Sequence, residues 1–218
     1  MFQSFISTFI SILLISSSLN FAQYSNSVQI NAGIIMPMNS SKGLTGLVQY
    51  NYHLSPDLNL FVYTGYSVWD QFKVTFLEDY SEVQKQIKFQ SYSADDHKMI
   101  PFYIGGRMNL HSNKVFTSFI SLEIGYSYLT YNSYQNQKII NPETGEVLGY
   151  NIDTFSKKEI KENLFGIGIG AGLFHPISEK LNLVFSYKLN SYTSSGYKGL
   201  FSTRGTYSQF LAGFGFVI

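Results

Sequence analysis

The sequence predicts an all-β fold, an eight-stranded antiparallel up-and-down transmembrane β-barrel, and three observations lead there. Past residue 26, hydropathy alternates with period two in eight separate stretches, the spacing that gives a strand one apolar face. The connectors alternate between tight and long, as they do when strands run up and down between two unlike rims. Charged side chains almost completely avoid the strands and gather in the connectors.

The first stretch puts Val28, Ile30, Ala32, Ile34 and Met36 on one face, and Gln29, Asn31 and Gly33 on the other. In the second, Val48, Tyr50, Tyr52 and Leu54 alternate with Gln49, Asn51 and His53. The proline turn Ser55-Pro56-Asp57 leads into the third, with Leu58, Leu60, Val62, Thr64, Tyr66 and Val68 on one side. The fourth shows Ile100, Phe102, Ile104, Gly106, Met108 and Leu110, and the fifth shows Phe116, Ser118, Ile120, Leu122, Ile124, Tyr126 and Tyr128. The sixth carries Phe165, Ile167, Ile169, Ala171 and Leu173, and the seventh Leu181, Leu183, Phe185, Tyr187 and Leu189. The eighth is the tail, where Phe210, Ala212, Phe214, Phe216 and Ile218 form a stripe. Tight connectors follow the second, fourth and sixth stretches, and long ones, about residues 70–98, 132–160 and 192–205, follow the third, fifth and seventh.

Charge placement separates a lipid-facing barrel from a water-soluble one. Of the 29 Asp, Glu, Lys and Arg residues, 21 fall in the long connectors or their flanks and five sit in the short turns. Only Arg107, Glu123 and Lys188 lie well inside a stretch, each on the face opposite the apolar one. A soluble barrel would put charge outside and apolar residues inside. Here the polar, glycine-containing face is expected to be the interior, with the apolar face against lipid. The composition agrees: 17% of residues are aromatic and 13% charged, against about 25% charged in an average soluble domain. The net charge of +1 gives no basic face for nucleic acid. The absence of cysteine excludes a disulfide framework and a thiolate metal site.

At the N-terminus an apolar run from Phe5 to Ile15 is followed by small polar residues and Asn20-Phe21-Ala22. This order reads as a secretory signal peptide over residues 1–22, leaving 23–218 as the barrel. The run is short of the roughly 20 residues a spanning helix needs. No Lys or Arg precedes Lys42, so the α-amino group alone supplies positive charge ahead of it.

A signal peptide, eight alternating strands and an aromatic-rich last strand resemble the small outer-membrane barrels of the OmpA/OmpX type. Tyr-rich strands and turns such as "LSPDLNL" are similar to the outer membrane β-barrel proteins common in Bacteroidota-like bacteria. The resemblance implies residence in the outer membrane of a Gram-negative cell, surrounded by lipid and lipopolysaccharide. It also implies that the assembly machinery reads the last strand. Many members end in Phe, and Ile218 holds that place here, which leaves Phe214 and Phe216 as the aromatic part of the signal. The fold hosts structural, adhesive, transport and enzymatic members, so it does not by itself assign an activity.

Candidate chemistry is sparse. His53-Leu54-Ser55 has the spacing of a His-x-Ser pair but lies at a short turn, and Asp95-Asp96-His97 tops the fourth stretch without a matched partner. Four scattered histidines make no metal site. No catalytic residue, metal or cofactor is expected. The inward-facing Gln49, Asn51, Asn59, Phe61, Tyr63, Tyr103, Arg107, Glu123, Asn182 and Lys188 read as a hydrogen-bonded plug, because eight strands leave room for side chains only. Within it, counting back from the short turns pairs Tyr103 with Glu123 and sets Lys188 opposite Gly166 or Gly168. This predicts a Glu123–Lys188 ion pair over the glycine face Gly166, Gly168, Gly170 and Gly172, with Tyr103 bonded to the carboxylate and Arg107 a looser member below. Residues 71–91 and the turn Asn141–Gly145 sit between β-prone stretches, so both long connectors are expected to extend their hairpins beyond the membrane. Exposed edges there could take up an extracellular partner. A structural or adhesion-like surface role follows, the alternatives being a carrier of small apolar solutes through a lateral opening and, less so, an enzyme acting on lipid A or peptides.

Overall fold

The computed structural model describes residues 26–218, except 39, 56, 71–74, 82–85, 93, 113–114, 146 and 193–204. Residues 1–22, where a signal peptide is expected, and most of the third long connector lie outside the described residues. The strands are β1 (Ser27–Pro37), β2 (Gly43–Ser55), β3 (Leu58–Trp69), β4 (Thr75–Ser81), β5 (Gln86–Tyr92), β6 (Ala94–Ser112), β7 (Thr117–Ile140), β8 (Val147–Ser178), β9 (Leu181–Tyr192) and β10 (Thr206–Val217). Eight of them close into a barrel in the order β1-β10-β9-β8-β7-β6-β3-β2, every neighbouring pair antiparallel. β4 and β5 form a separate two-stranded sheet within the first long connector.

The wall is inverted relative to a soluble protein. Leu122 is 68% exposed, Leu44 67% and Phe102 55%, whereas Glu123 and Lys188 are 4% and 5% exposed. Leaving large apolar side chains uncovered around a whole barrel while burying charge within it is favourable only where the outside is hydrocarbon. The ladders satisfy the backbone in that setting, since a closed sheet leaves no edge. Apart from bulges in other ladders, the ladder between β3 and β6 lapses where it passes from Thr64↔Phe102 to Ser67↔Met99 without a pair at Gly65 and Tyr66. Pro101, which has no N–H, sits at that level, and the Thr64 hydroxyl donates to its carbonyl oxygen at 2.9 Å.

β7 and β8 are far longer than the rest, at 24 and 32 residues against 12 for β3. A spanning strand needs about 9–11 residues, so β7 and β8 continue past the wall as a ribbon: β7 beyond Ser133 and β8 before Gly166 pair only with each other among the described residues. Its tip is the expected turn, closed by Gly145 N–H donating to the Asn141 carbonyl at 2.9 Å, with Gly145 at φ 72° in the left-handed region. The ribbon is kinked where Ser133↔Lys158 gives way to Gln135↔Asp153, so that residues 154–157 bulge out. The bulge is held by Ser156 Oγ, which accepts from Gln135 N–H at 2.7 Å and donates to the Asp153 carbonyl at 2.6 Å.

Inside, side chains sort by height. Ile35, Trp69, Met99, Leu129, Leu164, Tyr192 and Tyr207 form an apolar cluster at the long-connector end. A second cluster, Leu47, Phe61, Tyr63, Tyr103 and Leu211, lies lower in the bore. The charged side chains of Arg107, Glu123 and Lys188 are buried in the middle and toward the short-turn end, while polar residues such as Thr45, Ser67 and Asn132 are also buried higher up.

Candidate functional site

The interior is assembled by the period-two alternation of the strands. Odd positions of β2, β3, β6 and β7 and even positions of the lower β8 and of β9 point inward, which brings Asn51, Tyr63, Tyr103, Arg107, Glu123 and Lys188 into one bore. Lys188 Nζ lies 2.6 Å from Glu123 Oε2, and the two side chains are 7% and 0% exposed. The other carboxylate oxygen, Oε1, accepts from the Tyr63 hydroxyl at 2.7 Å. Asn190 Nδ2 in turn donates to the hydroxyls of Tyr207, at 3.0 Å, and Tyr63, at 3.4 Å. The Lys188 ammonium also stands 3.8 Å from the centroid of the Tyr63 ring, a cation–π position. Buried charge is tolerated only when partnered. Here the carboxylate accepts two charge-assisted bonds, and the ammonium has a counter-ion and an aromatic face.

The glycine face of β8 makes this geometry possible. Gly168 pairs with Glu123 on one side and Asn190 on the other, and Gly170 pairs with Ser121 and Lys188. A Cβ at Gly168 would collide with Asn190 Oδ1 and lie 2.8 Å from Glu123 Cγ. Without side chains on β8, the long arms of Glu123 and Lys188 meet across it.

Three expectations for this site need correction. Tyr103 pairs with Gly125, and Gly105 with Glu123, a register two residues from the expected one. The cause is local: the β6–β7 turn closes on Ser112↔Thr117, which moves the ladder three residues from the expected register, and a bulge between Asn109 and His111 takes one of them back. The hydroxyl on the carboxylate is therefore that of Tyr63, while the Tyr103 ring stacks on Tyr63 with centroids 5.4 Å apart. Lys188 stands opposite Gly170 rather than Gly166 or Gly168, in a β8–β9 hairpin that itself carries a bulge between Pro176 and Ser178. Arg107 has no carboxylate within 4.0 Å among the described residues. It donates through Nη1 to Asn51 Oδ1 at 3.1 Å, and its guanidinium lies 4.3 Å from the Phe174 ring centroid and 5.3 Å from that of Phe119. Asn51 and the two rings went unnoticed as its partners because nothing in sequence spacing links β2, β7 and β8 at one height.

Between Gln29, Asn31, Gln49, Arg107, Ser121 and Lys188 a void of about 10 Å³ remains. The histidine candidates do not converge. The Asp95-Asp96-His97 segment is a bulge with Asp96 at φ 54°, and the His97 ring is stacked between Trp69 and Tyr131, 5.1 Å from each. His53 uses its backbone N–H to hold Asn26 Oδ1 at 2.9 Å at the lower rim. No group of His, Cys, Asp or Glu suited to a metal occurs among the described residues.

An apolar outer belt, a closed antiparallel ladder and charge confined to the bore define an integral β-barrel of the outer membrane. Comparison with known families is consistent with that class. The chain belongs to the outer membrane protein beta-barrel domain family, whose model matches residues 7–217. Among solved structures it is similar to Neisserial surface protein A, with 13% identity and a TM-score of 0.54 over 88% of this chain and 97% of that one. A major outer membrane protein from Thermus thermophilus gives 12% identity and a TM-score of 0.52, covering 89% of this chain and all of that one (100%). At these identities the likeness is one of fold. No protein of curated function matches the chain in sequence. The protein therefore sits in Gram-negative outer-membrane lipid, in the company of lipopolysaccharide.

Proposed function

We propose that this is a non-enzymatic surface protein whose bore is plugged by its own side chains and whose β7–β8 ribbon and β4–β5 hairpin stand outside the cell. The observation that carries the reading is the contrast in strand length: β7 and β8 run to 24 and 32 residues, well beyond what a bilayer needs, while the turns at the other rim are tight. The Val147–Phe165 part of β8 pairs with β7 alone among the described residues, since its ladder with β9 begins at Gly166. A strand edge of that kind can take up a strand from another protein, with main-chain hydrogen bonds supplying the affinity. The plug is supported by the buried side chains around Arg107 and Lys188, where the void among the described residues has room for about one water.

Replacing residues 134–157 by a two-residue Asn-Gly turn tests this. The expected outcome is a barrel that still folds and resists SDS until heated, on cells that have lost attachment to their target surface. Unchanged attachment would remove the ribbon from the proposal. Steady conductance of the intact protein in planar bilayers would refute the plug. Protease added to intact cells should cut at Lys157 and spare Lys180, and the reverse would invert the topology. One observation favours a second reading, a carrier that passes small apolar solutes laterally: the break in the β3–β6 ladder opposite Pro101. Uptake of an apolar dye into vesicles, reduced by Pro101→Val, would support it.

A further inference from the structure

Gly106 is a glycine without a steric reason. It is the third of six outward positions on β6 counted from the short-turn rim, after Leu110 and Met108 and before Ile104, Phe102 and Ile100. Those five are large and apolar, as the belt requires. The neighbouring Gly105 is forced, because a Cβ there would lie 2.5 Å from Phe61 Cζ. At Gly106 a Cβ would meet nothing within 4 Å, and its φ is not in the left-handed region. A strand interior also pays for glycine in flexibility and lost packing. What the missing side chain creates is a groove of about 600 Å³ in the outer wall. Its floor is Gly106, paired with Leu60 on β3 and Leu122 on β7, and its flanks are Ile104, Ile124, Tyr50 and Tyr52.

We infer that this groove is a lipid site that holds one acyl chain of a periplasmic-leaflet phospholipid. The groove opens from the belt that already faces hydrocarbon, so its occupant comes from the bilayer. Its walls are apolar, which suits a chain rather than a headgroup. Its depth selects the leaflet: Gly106 lies in the half of the belt nearer the short turns, which is the periplasmic half in the topology proposed above. The leaflet assignment rests on that topology, whereas occupancy of the groove does not. Dispersion contacts along both walls would retain this chain longer than lipid on parts of the belt without a groove. A second, smaller hollow of about 480 Å³ lies on the far side of the wall, beside Ala32, Ala171 and Ala212.

The test uses the full barrel reconstituted in vesicles of phosphatidylethanolamine and phosphatidylglycerol containing a phospholipid with a photoactivatable diazirine in its acyl chain. A parallel set carries the same group on an acyl chain of lipid A. After irradiation and peptide mapping, label from the phospholipid should concentrate at least threefold on the peptides holding Leu60 and Leu122 relative to the one holding Leu44. A Cβ at Gly106 meets nothing within 4 Å, so Gly106→Phe can start its side chain into the groove and fill it, and should lower that label at least fivefold. Leu44→Phe, a change of like size elsewhere on the belt, should leave it alone, and heat-dependent gel migration should show both variants folded. Even labelling around the belt, or a Gly106→Phe barrel labelled like the wild type, overturns the site. Concentrated labelling from lipid A instead overturns the leaflet assignment, and with it the topology, while leaving the groove occupied. Crosslinks to a second copy of the barrel in place of lipid would also overturn the proposal.

Discussion

Two ion pairs in this molecule look alike as chemistry and differ in everything else. Glu123 and Lys188 meet at 2.6 Å in the bore, almost wholly buried. Glu159 and Lys161 meet at 3.4 Å on the β8 ribbon, with side chains 59% and 58% exposed. In the bore there is little water to replace a lost partner, so each charge depends on the other, on Tyr63 and on the absence of a side chain at Gly168. On the ribbon, water and salt replace a partner at once. The same residue types are thus structural in one region and nearly dispensable in the other, and the difference comes from the wall between them rather than from the pair.

Removing one member in the bore should break the comparison most widely. Lys188→Met strands the carboxylate of Glu123 and should cost about 3–5 kcal/mol, measured by urea unfolding from vesicles. The double variant with Glu123→Leu should recover much of that loss, because paired removal leaves no orphan charge. Next comes the hydroxyl on the carboxylate. Tyr63→Phe should cost about 1.5–3 kcal/mol, the worth of a bond to a charged group. Tyr103→Phe keeps the ring stack and removes no bond to Glu123, and should cost less than about 1 kcal/mol. Equal effects of the two would show that the carboxylate is held some other way. Gly168→Ala sharpens the glycine argument: the added methyl crowds Asn190 and Glu123 and should destabilise by about 1–3 kcal/mol, whereas Gly106→Ala on the outer face should be near neutral by the same measurement. The smallest effect belongs to the ribbon, where Lys161→Ala should change stability by no more than about 0.5 kcal/mol.

The faces of the strands were legible in the sequence, and the heights were not. Period-two alternation is a property of each strand alone, so the inward pointing of Glu123, Lys188 and Arg107 can be read from neighbours such as Leu122, Ile124 and Tyr187. Height depends on where a hairpin closes. Bulges between His53 and Ser55, Asn109 and His111, and Pro176 and Ser178 each put an extra residue into a ladder close to a short turn. Where a turn closes and where a bulge corrects it follow from the fit of turn and twist, which composition does not encode, and a net slip of two residues was enough to exchange Tyr63 for Tyr103 at the carboxylate. The continuous β8 was hidden for another reason. Its upper part, with Lys157, Lys158, Glu159, Lys161 and Glu162, looks like a solvated connector, because a ribbon standing in water needs no apolar face and so shows none.

The pairing of β1 with β10 joins the two ends of the wall along eleven successive residue partners, from Ser27↔Val217 to Pro37↔Tyr207. Every other wall contact joins strands adjacent or nearly adjacent in the chain, whereas this seam must wait until the whole sheet has been laid down, since loop-closure entropy falls most heavily on the longest separation. Until it zips, two strand edges lie open where unpaired backbone groups are most costly. The seam is built for close approach: side chains are missing at Gly33, where a Cβ would lie 3.0 Å from Leu211 Cα, and at Gly213, where it would lie 2.7 Å from Asn31 Cα. A methyl at either place would leave the two strands individually intact and obstruct the stitch that closes the sheet, so the closure of the barrel is guarded by two hydrogen atoms.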